Sequence, residues 1–407
     1  SEKIKFFMYY YYNTKNLYLT AKNNLIKLFF WYKNLNKTNK ILLSAVLICL
    51  LFFSANLIWQ GVKNNQTKNQ AAINDLIAAI NQKQNQIDAS LLYSNEIGAK
   101  KLLEEIKPLI EQLPQKTQDQ KDQYNNIMAK HRVQTEKISR VIRVNPVEIA
   151  NLINLNTNAK PTNIFIAQGK IFAADATQKS IYNVDTKSNL TTAISLADQN
   201  ISRLDFPSVD KNNNISYFNS NNIIIFDAKT EKISSLEIDY SAKPQKIIDM
   251  KQYNNRYYLV DAQNGQIYRF EKSGAKLTNS SAWLNTQEDL SSAVNLAIDG
   301  NIYILKNNGE VSQYTKGAKK IFAISPVEPN FSQTTKISIS ETEDYLYILE
   351  PGNKRLVVFK KNGDFVNQYT SDQFNDLRDF QIDEANKKIY FLNGALIYSI
   401  DMAEIKK

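Results

Sequence analysis

The chain changes its pattern of apolar and polar positions three times along its length. Residues 41–59, ILLSAVLICLLFFSANLIW, are nineteen in a row without a charge. A helix of this length, at about 1.5 Å per residue, spans roughly the hydrocarbon core of a bilayer. A buried core helix is seldom apolar on every side for so long. The pattern therefore predicts a transmembrane helix over residues 41–60, with Ile41 and Trp59 at the ends of the span.

The next stretch, residues 61–145, has apolar residues at alternating spacings of three and four, which is the heptad spacing of a coiled coil. These positions are Ile73, Ile77, Ile80, Gln84, Ile87 and Leu91, then, after a phase shift, Leu103, Ile106, Ile110 and Leu113. Pro114 is expected to end the first helix, and Thr117 to cap a second one that runs to Val141. The pattern predicts an α-helical coiled-coil stalk. It leaves open an antiparallel hairpin within the chain or a stalk that dimerises with another chain.

From residue 146 onward, short apolar runs alternate with turns rich in Asn, Gly and Asp. Six copies of one unit, consisting of a strand, a polar turn and a second strand, follow one another. The turns open with Asp175, Asn219, Asp261, Lys306, Glu350 and Asn393, spaced 44, 42, 45, 44 and 43 residues apart. A period near 43 residues with about four strands per unit is typical of a β-propeller blade. Residues 146–407 are thus predicted to form an all-β, six-bladed propeller.

Within this propeller the sequence also predicts the inner strands and the contacts between blades. The innermost strands are expected at residues 162–167, 242–250, 291–299, 334–340 and 377–383. One apolar position recurs in the strand before each polar turn, and its side chain is expected to pack one blade against the next. It is occupied by Phe172, Tyr258, Tyr303, Tyr347 and Tyr390, while the second copy has Ser216 there.

The fifth copy contains YILEPGNKRLVVFKKNG, residues 347–363, which resembles an NHL repeat. Glu350 stands where that repeat usually has Asp, and Asn353, Lys354 and Arg355 match its turn. The resemblance implies a six-bladed, TolB-like propeller in which these four residues are structural turn residues. The whole chain is then a mixed multi-domain protein.

Charge divides unevenly along the chain and predicts its orientation. Residues 1–40 carry a net charge of +7, residues 61–145 carry +4, and residues 146–407 carry −1. By the positive-inside rule, the N-terminus lies in the cytoplasm and the propeller is extracytoplasmic. Residues 1–40, which include FFMYYYY, are a basic, aromatic-rich cytoplasmic juxtamembrane segment, either an interfacial helix or a tail without fixed structure. The balanced propeller argues against nucleic acid as a partner.

Candidate chemistry in residues 146–407 is sparse. They contain neither His nor Cys, which excludes zinc sites of the usual kind, and no G-x-S-x-G or Walker A motif is present. Asp205, Asp249, Asp299 and Asp379 lie near inner strands and leave a calcium site open. Lactonases are among the six-bladed propellers that resemble this one. A calcium-dependent, lactonase-like hydrolase is therefore one of three hypotheses about the function. We expect no enzymatic activity, no cofactor, and no catalytic or metal-binding residues.

The predicted function is therefore that of a single-pass, membrane-anchored extracytoplasmic propeller that binds or scaffolds a ligand without catalysis. The expected partners are membrane lipid around residues 41–60 and a protein or cell-envelope ligand at the propeller, with self-association through the stalk as a further option. An alternative is the sensor half of a transmembrane Ser/Thr kinase or phosphatase receptor. Bacterial kinases with a cytoplasmic domain, one span and an NHL-type propeller have an order of segments that resembles this one.

Overall fold

The computed structural model describes residues 22, 26–27, 30–197, 200–240, 244–340 and 342–402. The chain divides into two compact units, Ser1–Lys130 and His131–Lys407. The aromatic run at residues 6–12 lies outside the described residues, so the expectation of an interfacial helix there stays a prediction.

Three helices follow one another: α1 Lys37–Leu92, α2 Glu96–Glu111 and α3 Gln118–Ile138. The predicted span and the start of the stalk belong to the single helix α1, which has 56 residues. This helix is long and apolar enough to cross a membrane, and none of its most apolar window is buried within the structure. Ile41 and Trp59 are 66% and 62% exposed. They mark the ends of the charge-free stretch and not the ends of the helix.

In the first unit, the second half of α1 packs against α2 and α3 around a small apolar core. Its buried members are Ile80, Ile106, Ile110, Leu113 and Ile127. The buried Gln84 side chain donates from Nε2 to the carbonyl oxygen of Ile127 at 3.1 Å. Ile80, Gln84 and Ile87 are all buried, so this part of the predicted heptad pattern is covered within the same chain, while the coiled coil itself stays a prediction.

The helix boundaries differ from the prediction at two places. The phase shift in the heptad pattern corresponds to a break between two helices. Helix α1 ends at Leu92, and Ser94 adopts a left-handed φ of 56°. Asn95 then caps α2 by accepting from the backbone N–H of Gly98 at 3.0 Å. The predicted Thr117 cap is confirmed by a bond of 3.3 Å from the Gln120 N–H. Val141 was predicted to be helical but lies in a strand.

Twenty-five strands form five sheets in the described part of the second unit. Two short strands come first, β1 Val141–Arg143 and β2 Val147–Asn151. Six consecutive groups of strands, here called meanders, follow. The first two are β3 Asn163–Ala167, β4 Lys170–Asp175, β5 Ser180–Asp185 and β6 Thr191–Ser195, then β7 Asp205–Val209, β8 Asn214–Phe218, β9 Asn222–Asp227 and β10 Ile233–Ile238. The third and fourth are β11 Ile247–Tyr253, β12 Arg256–Asp261, β13 Gln266–Ser273 and β14 Lys276–Ala282, then β15 Ala293–Ile298, β16 Ile302–Lys306, β17 Val311–Thr315 and β18 Ala318–Lys319. The fifth and sixth are β19 Lys336–Ile339, β20 Tyr345–Glu350, β21 Arg355–Lys360 and β22 Phe365–Thr370, then β23 Leu377–Asp383, β24 Lys388–Asn393 and β25 Leu396–Asp401.

Neighbouring strands within each meander pair antiparallel, and three further pairings occur: two add a strand to an existing sheet and one merges two meanders. Strand β2, from the start of the unit, pairs antiparallel with β25 and supplies the fourth strand of the last meander. Strand β1 adds to β22 in parallel. A short parallel pairing of β10 with β14 merges the second and third meanders into one eight-stranded sheet. The β2–β25 pair closes the two ends of the sheet region onto each other.

The first strand of each meander, here called its inner strand, lies beside the inner strands of its neighbours. Direct contacts join β3 to β7, β7 to β11, β11 to β15, β15 to β19, and β23 back to β3. Five inner strands overlap the predicted ranges. The sixth, β7, was missed because Pro207 and an irregular pairing between Asp205 and Ser208 interrupt its pattern.

The predicted aromatic contacts between sheets are confirmed. Each ring is buried in a cluster that includes side chains of the following meander. Phe172, for example, meets Phe226 edge-on with ring centroids 5.3 Å apart. At the equivalent position of the second meander, the Ser216 hydroxyl hydrogen-bonds the Tyr257 hydroxyl at 2.9 Å. Sheet-to-sheet packing of aromatic and aliphatic side chains forms the core of this unit.

Candidate functional site

The polar residues that open the turns have a common structural task. Five of the six accept hydrogen bonds from backbone N–H groups of the segment 15 to 18 residues earlier, which leads into the inner strand of the same meander. They are Asp175, Asn219, Asp261, Glu350 and Asn393. Such buried N–H groups need a partner. Carboxylate and amide oxygens can accept, whereas the ammonium of Lys306 cannot. These residues therefore hold loops and are not directed at a ligand.

The fifth meander carries the most elaborate version of this contact. Oε1 of Glu350 accepts from the N–H of Ser332 at 2.6 Å, while Oε2 accepts from Nε of Arg355 at 2.6 Å. Nη1 of Arg355 donates to Oε1 of Gln368 at 2.7 Å, and Nη2 donates to the carbonyl oxygen of Pro329 at 2.5 Å. Glu350 and Arg355 are 0% and 2% exposed. A pair so enclosed by its own hairpin is not available to a ligand.

The remaining residues of this turn complete the hairpin. Lys354 adopts a left-handed φ of 53° and donates its N–H to the carbonyl oxygen of Pro351 at 3.0 Å. Burial alone would raise the pKa of Glu350, but the Ser332 N–H, the Asn353 side chain and Arg355 together lower it. All four residues lie in or beside the turn of this hairpin, and their purely structural role stays a prediction.

The inner strands contain a second polar set, which links each strand to the next. Oδ2 of Asp249 accepts from the N–H of Leu296 at 2.7 Å and from Nδ2 of Asn295 at 2.6 Å. Oδ1 of Asn295 accepts from the N–H of Ile337 at 2.9 Å. Three successive inner strands, β11, β15 and β19, are thereby joined through side chains.

The belt of bonds continues from β19 through β23 to β3. Nζ of Lys336 donates to Oδ1 of Asp379 at 2.5 Å and to the carbonyl oxygen of Phe380 at 2.9 Å. Oδ2 of Asp379 accepts from the N–H of Ile164 at 2.8 Å. Lys336 occupies the position that Asp or Asn occupies in neighbouring inner strands. Here an ammonium group donates the hydrogen bonds to the next strand, whereas elsewhere a side-chain oxygen accepts them.

A second lysine stands beside this belt. Nζ of Lys251, on β11, lies 3.8 Å from Oδ1 of Asp249 and 3.3 Å from the carbonyl oxygen of Pro207. The side chains of Lys251 and Lys336 retain 21% and 16% exposure, while those of Asp249 and Asp379 retain 0% and 4%. The carboxylates thus lie behind the ammonium groups, and the solvent-facing part of the cluster is positive.

Electrostatics tie the four charges into one group. Burial raises the pKa of Asp249, and the charges of Lys251 and Lys336 oppose that rise. Burial lowers the pKa of Lys336; the charge of Lys251 lowers it further, while Asp379 and Asp249 raise it. Lys336 on β19 is therefore affected by charges on two other strands, β11 and β23, which links the two ion pairs.

Two buried polar atoms near this cluster have no hydrogen-bond partner among the described residues: the Tyr217 hydroxyl and Oδ1 of Asn163. Tyr217 is wholly buried, and its pKa is raised by burial and by the charge of Asp379. Buried polar groups are nearly always hydrogen-bonded, so these two atoms are exceptions within the sheets.

The four aspartates that left a calcium site open in the sequence each have a basic neighbour. Asp205 pairs with Arg203, Asp299 lies 3.3 Å from Lys361, and Asp249 and Asp379 have the lysines described above. The described residues contain no group of three or more His, Cys, Asp or Glu in a metal-binding arrangement.

Four-stranded antiparallel meanders whose first strands adjoin one another define the class of this unit as a β-propeller. No family model and no curated protein matches the sequence. Among solved structures, virginiamycin B lyase from Staphylococcus aureus is 15% identical over 64% of this chain and 89% of its own, with a TM-score of 0.43. A gluconolactonase from Xanthomonas campestris is 12% identical over 60% and 86%, with a TM-score of 0.45. Regucalcin from Agrobacterium tumefaciens, a calcium-binding protein, is 9% identical over 64% and 95%, with a TM-score of 0.46.

These comparisons correct one expectation. The chain was expected not to be an enzyme because it lacks catalytic motifs, and that expectation is wrong: the propellers it resembles include a lyase and a gluconolactonase. Enzymes and non-enzymes share this fold, so a missing sequence motif does not exclude catalysis.

Sequence reasoning found the turn residues and missed the inner cluster. Asp249 and Asp379 were noticed as acids, but Lys251, Lys336, Asn295 and Tyr217 were not singled out. The available signal was positional, because Asn163, Asp249, Asn295 and Asp379 each stand at or near the start of an inner strand. Lys336, at the first residue of β19, breaks that series.

Proposed function

We propose that this protein is a membrane-anchored β-propeller that binds a protein or cell-envelope ligand outside the cytoplasm. The charge-free stretch of α1 carries the proposal. Leu51 and Phe52 are 68% and 75% exposed within it, and surrounding side chains are similarly uncovered. A contiguous apolar surface of this extent needs a cover, and lipid is the cover that fits a helix apolar on every side.

The orientation rests on charge. Eight lysines and one acidic residue precede the apolar stretch. Two lysines, Lys63 and Lys68, lie between this stretch and the next acidic residue, Asp75. The positive-inside rule favours a cytoplasmic N-terminus, which puts the propeller on the other side of the membrane.

We further infer that the six meanders are six blades of the NHL and TolB type. Support comes from the even period of the turn openers and from the hairpin of Glu350 and Arg355. The eight-stranded sheet then consists of two blades whose outer strands β10 and β14 pair over two residues.

A binding role is favoured by what the inner strands present. A cluster of four charged side chains lies on inner strands that adjoin one another, where a few polar groups converge as they do in ligand sites.

Flotation of membranes from cells that express the full chain tests the anchor. After a carbonate wash, the protein should float with lipid. A Leu50→Lys/Leu51→Lys variant should leave the lipid fraction, because each lysine at the middle of a span costs about 3 kcal/mol. Leu92→Lys is the matched control, since Leu92 lies on the same helix, is 78% exposed and falls outside the apolar stretch. Release of the unmodified protein by carbonate would refute the anchor.

Protease accessibility tests the orientation. Protease added to intact cells, with the outer envelope opened where there is one, should digest residues 131–402 and spare a tag placed before residue 22. Complete protection of the propeller, with digestion only after lysis of the membrane, would reverse the proposed topology.

A further inference from the structure

We propose that the inner-strand cluster is a binding site for a small anion, a carboxylate or phosphate group, held by Lys251 and Lys336. The inference rests on the proposed binding role and names the class of ligand.

The donor inventory supports an acceptor-rich ligand. An ammonium group has three N–H donors. Lys336 uses two of them, toward Asp379 and Phe380, and Lys251 makes one bond of 3.3 Å to Pro207. The unused hydrogen-bonding capacity of the two lysines is therefore that of donors.

The local charge balance also permits an anion. Asp249 and Asp379 offset the two lysines formally, but each carboxylate also accepts two backbone N–H groups. Asp249 binds those of Met250 and Leu296, and Asp379 binds those of Phe380 and Ile164. The dipoles of these peptide groups therefore partly neutralise the two carboxylate charges. The ammonium groups keep attraction for a further negative charge on the exposed side.

Cation binding is disfavoured by the same geometry. A cation would have to approach Asp249 and Asp379, whose side chains are 0% and 4% exposed, past two ammonium groups. Repulsion from Lys251 and Lys336 acts against it, whereas the same two charges attract a carboxylate or a phosphate. Charge-assisted hydrogen bonds of this kind are among the strongest polar contacts in proteins.

The site holds its lysines in place before any ligand arrives. Lys336 is fixed by two hydrogen bonds and lies over the Phe380 ring, with Nζ 5.2 Å from the ring centroid. Lys251 is held between β11 and the backbone of β7. Binding therefore loses little side-chain freedom, which favours affinity.

The test is equilibrium dialysis of the purified full chain in detergent against radiolabelled inorganic phosphate and, separately, against radiolabelled succinate, with ionic strength held constant by chloride. Saturable binding of about one anion per chain is expected. Lys251→Gln should weaken it about tenfold or more, because one charge-assisted contact is lost.

Lys388→Gln is the matched control, since Lys388 pairs with Asp401 on the exposed side of the last meander and should bind as the unmodified protein does. Circular dichroism of each variant confirms that it folds, and Lys336→Gln is judged only if it does. Saturation by phosphate alone, by succinate alone or by both identifies the source of the anion and supports the site.

Binding that does not saturate, or equal affinity in the Lys251→Gln and unmodified proteins, would overturn the proposal. The assay needs no bilayer. A failed flotation experiment would therefore remove the membrane anchor and leave the anion site untouched, and the converse also holds.

Discussion

Nε of Arg355 donates to Oε2 of Glu350 across 2.6 Å, with both side chains almost fully buried inside one hairpin. The pair also reaches outside the hairpin, because Glu350 accepts from Ser332 and Arg355 donates to Pro329. The ion pair therefore connects the β20–β21 hairpin to the segment that leads into β19.

Arg355→Met should destabilise the protein strongly. Breaking a buried pair leaves a charge without its partner and costs about 3–5 kcal/mol. Urea unfolding of the propeller transition measures the change. Lys388→Met is the control, since its exposed pair with Asp401 is worth about 1 kcal/mol or less. The double variant Glu350→Gln/Arg355→Met should recover part of the lost free energy of unfolding. Equal destabilisation by Arg355→Met and Lys388→Met would contradict the structure.

Glu350 should make stability depend on pH. Its folded-state pKa lies below the ordinary value, despite the opposing effect of burial, because Ser332, Asn353 and Arg355 stabilise the carboxylate. A depressed folded pKa gives stability that is present above the unfolded pKa and is lost as pH falls through the folded one. The stability difference between the unmodified protein and Glu350→Gln should therefore shrink from about pH 7 to about pH 3. A difference that stays constant over this range would refute the assignment.

Asn295 should not tolerate a charge. Asn295→Asp replaces the donor that faces the buried Asp249 with a second carboxylate at a partly buried position, which we expect to cost about 3 kcal/mol at neutral pH. The penalty should fall on acidification, because repulsion raises the pKa of the new group. Asn386→Asp is the matched control: Asn386 donates to Asp383 at 2.8 Å in an exposed turn. Equal effects of the two substitutions in thermal unfolding would contradict the belt of inner-strand bonds.

Gly363 should be more sensitive to alanine than Gly169. Both have left-handed φ angles, 96° and 70°, so both substitutions strain the backbone by about 1 kcal/mol. A Cβ at Gly363 would also overlap the carbonyl oxygen of Ala323, while a Cβ at Gly169 meets nothing within 4 Å. Gly363→Ala should cost about 2 kcal/mol more than Gly169→Ala in urea unfolding. Similar costs would argue against the close contact with the residue 323 segment.

The helical unit can be tested with two isoleucines of the same helix, α2. Ile106 is fully buried and Ile97 is 87% exposed. Ile106→Ala should cost about 2–5 kcal/mol, and Ile97→Ala at most about 0.5 kcal/mol. Amide hydrogen exchange of residues 96–138 reports the difference locally. If Ile97→Ala has the larger effect, the apolar seam is covered by another chain, and the intrachain packing described above is wrong.

Self-association through the stalk stays a prediction. The seam residues Ile80, Ile106 and Ile127 are already in contact within one chain, which leaves the tip around Leu92 and Ile97 as the exposed apolar part of the bundle. Light scattering of the detergent-solubilised protein would measure the number of chains.

Much of the fold could be predicted from the sequence because its signals are local and repeated. The charge-free stretch, the heptad spacing and the even period of the turn openers each depend on residues near one another along the chain. The rings at Phe172, Tyr258 and Tyr303 were placed correctly for the same reason: a repeat puts equivalent residues in equivalent surroundings. The break at Leu92 and the strand at Val141 were misread because both depend on which partner the segment meets.

The sequence by itself determined that a long apolar helix, a helical stretch and a repeated all-β region follow in that order. Only the tertiary structure decided that Asp249, Lys251, Lys336 and Asp379 form one cluster, since these residues are separated by up to 130 positions and come from three inner strands. The physical reason is that closure of the sheets brings their first strands together about a common axis. Charges that look unrelated along the chain then share one low-dielectric site, and their pairing, burial and remaining donors are set by that convergence.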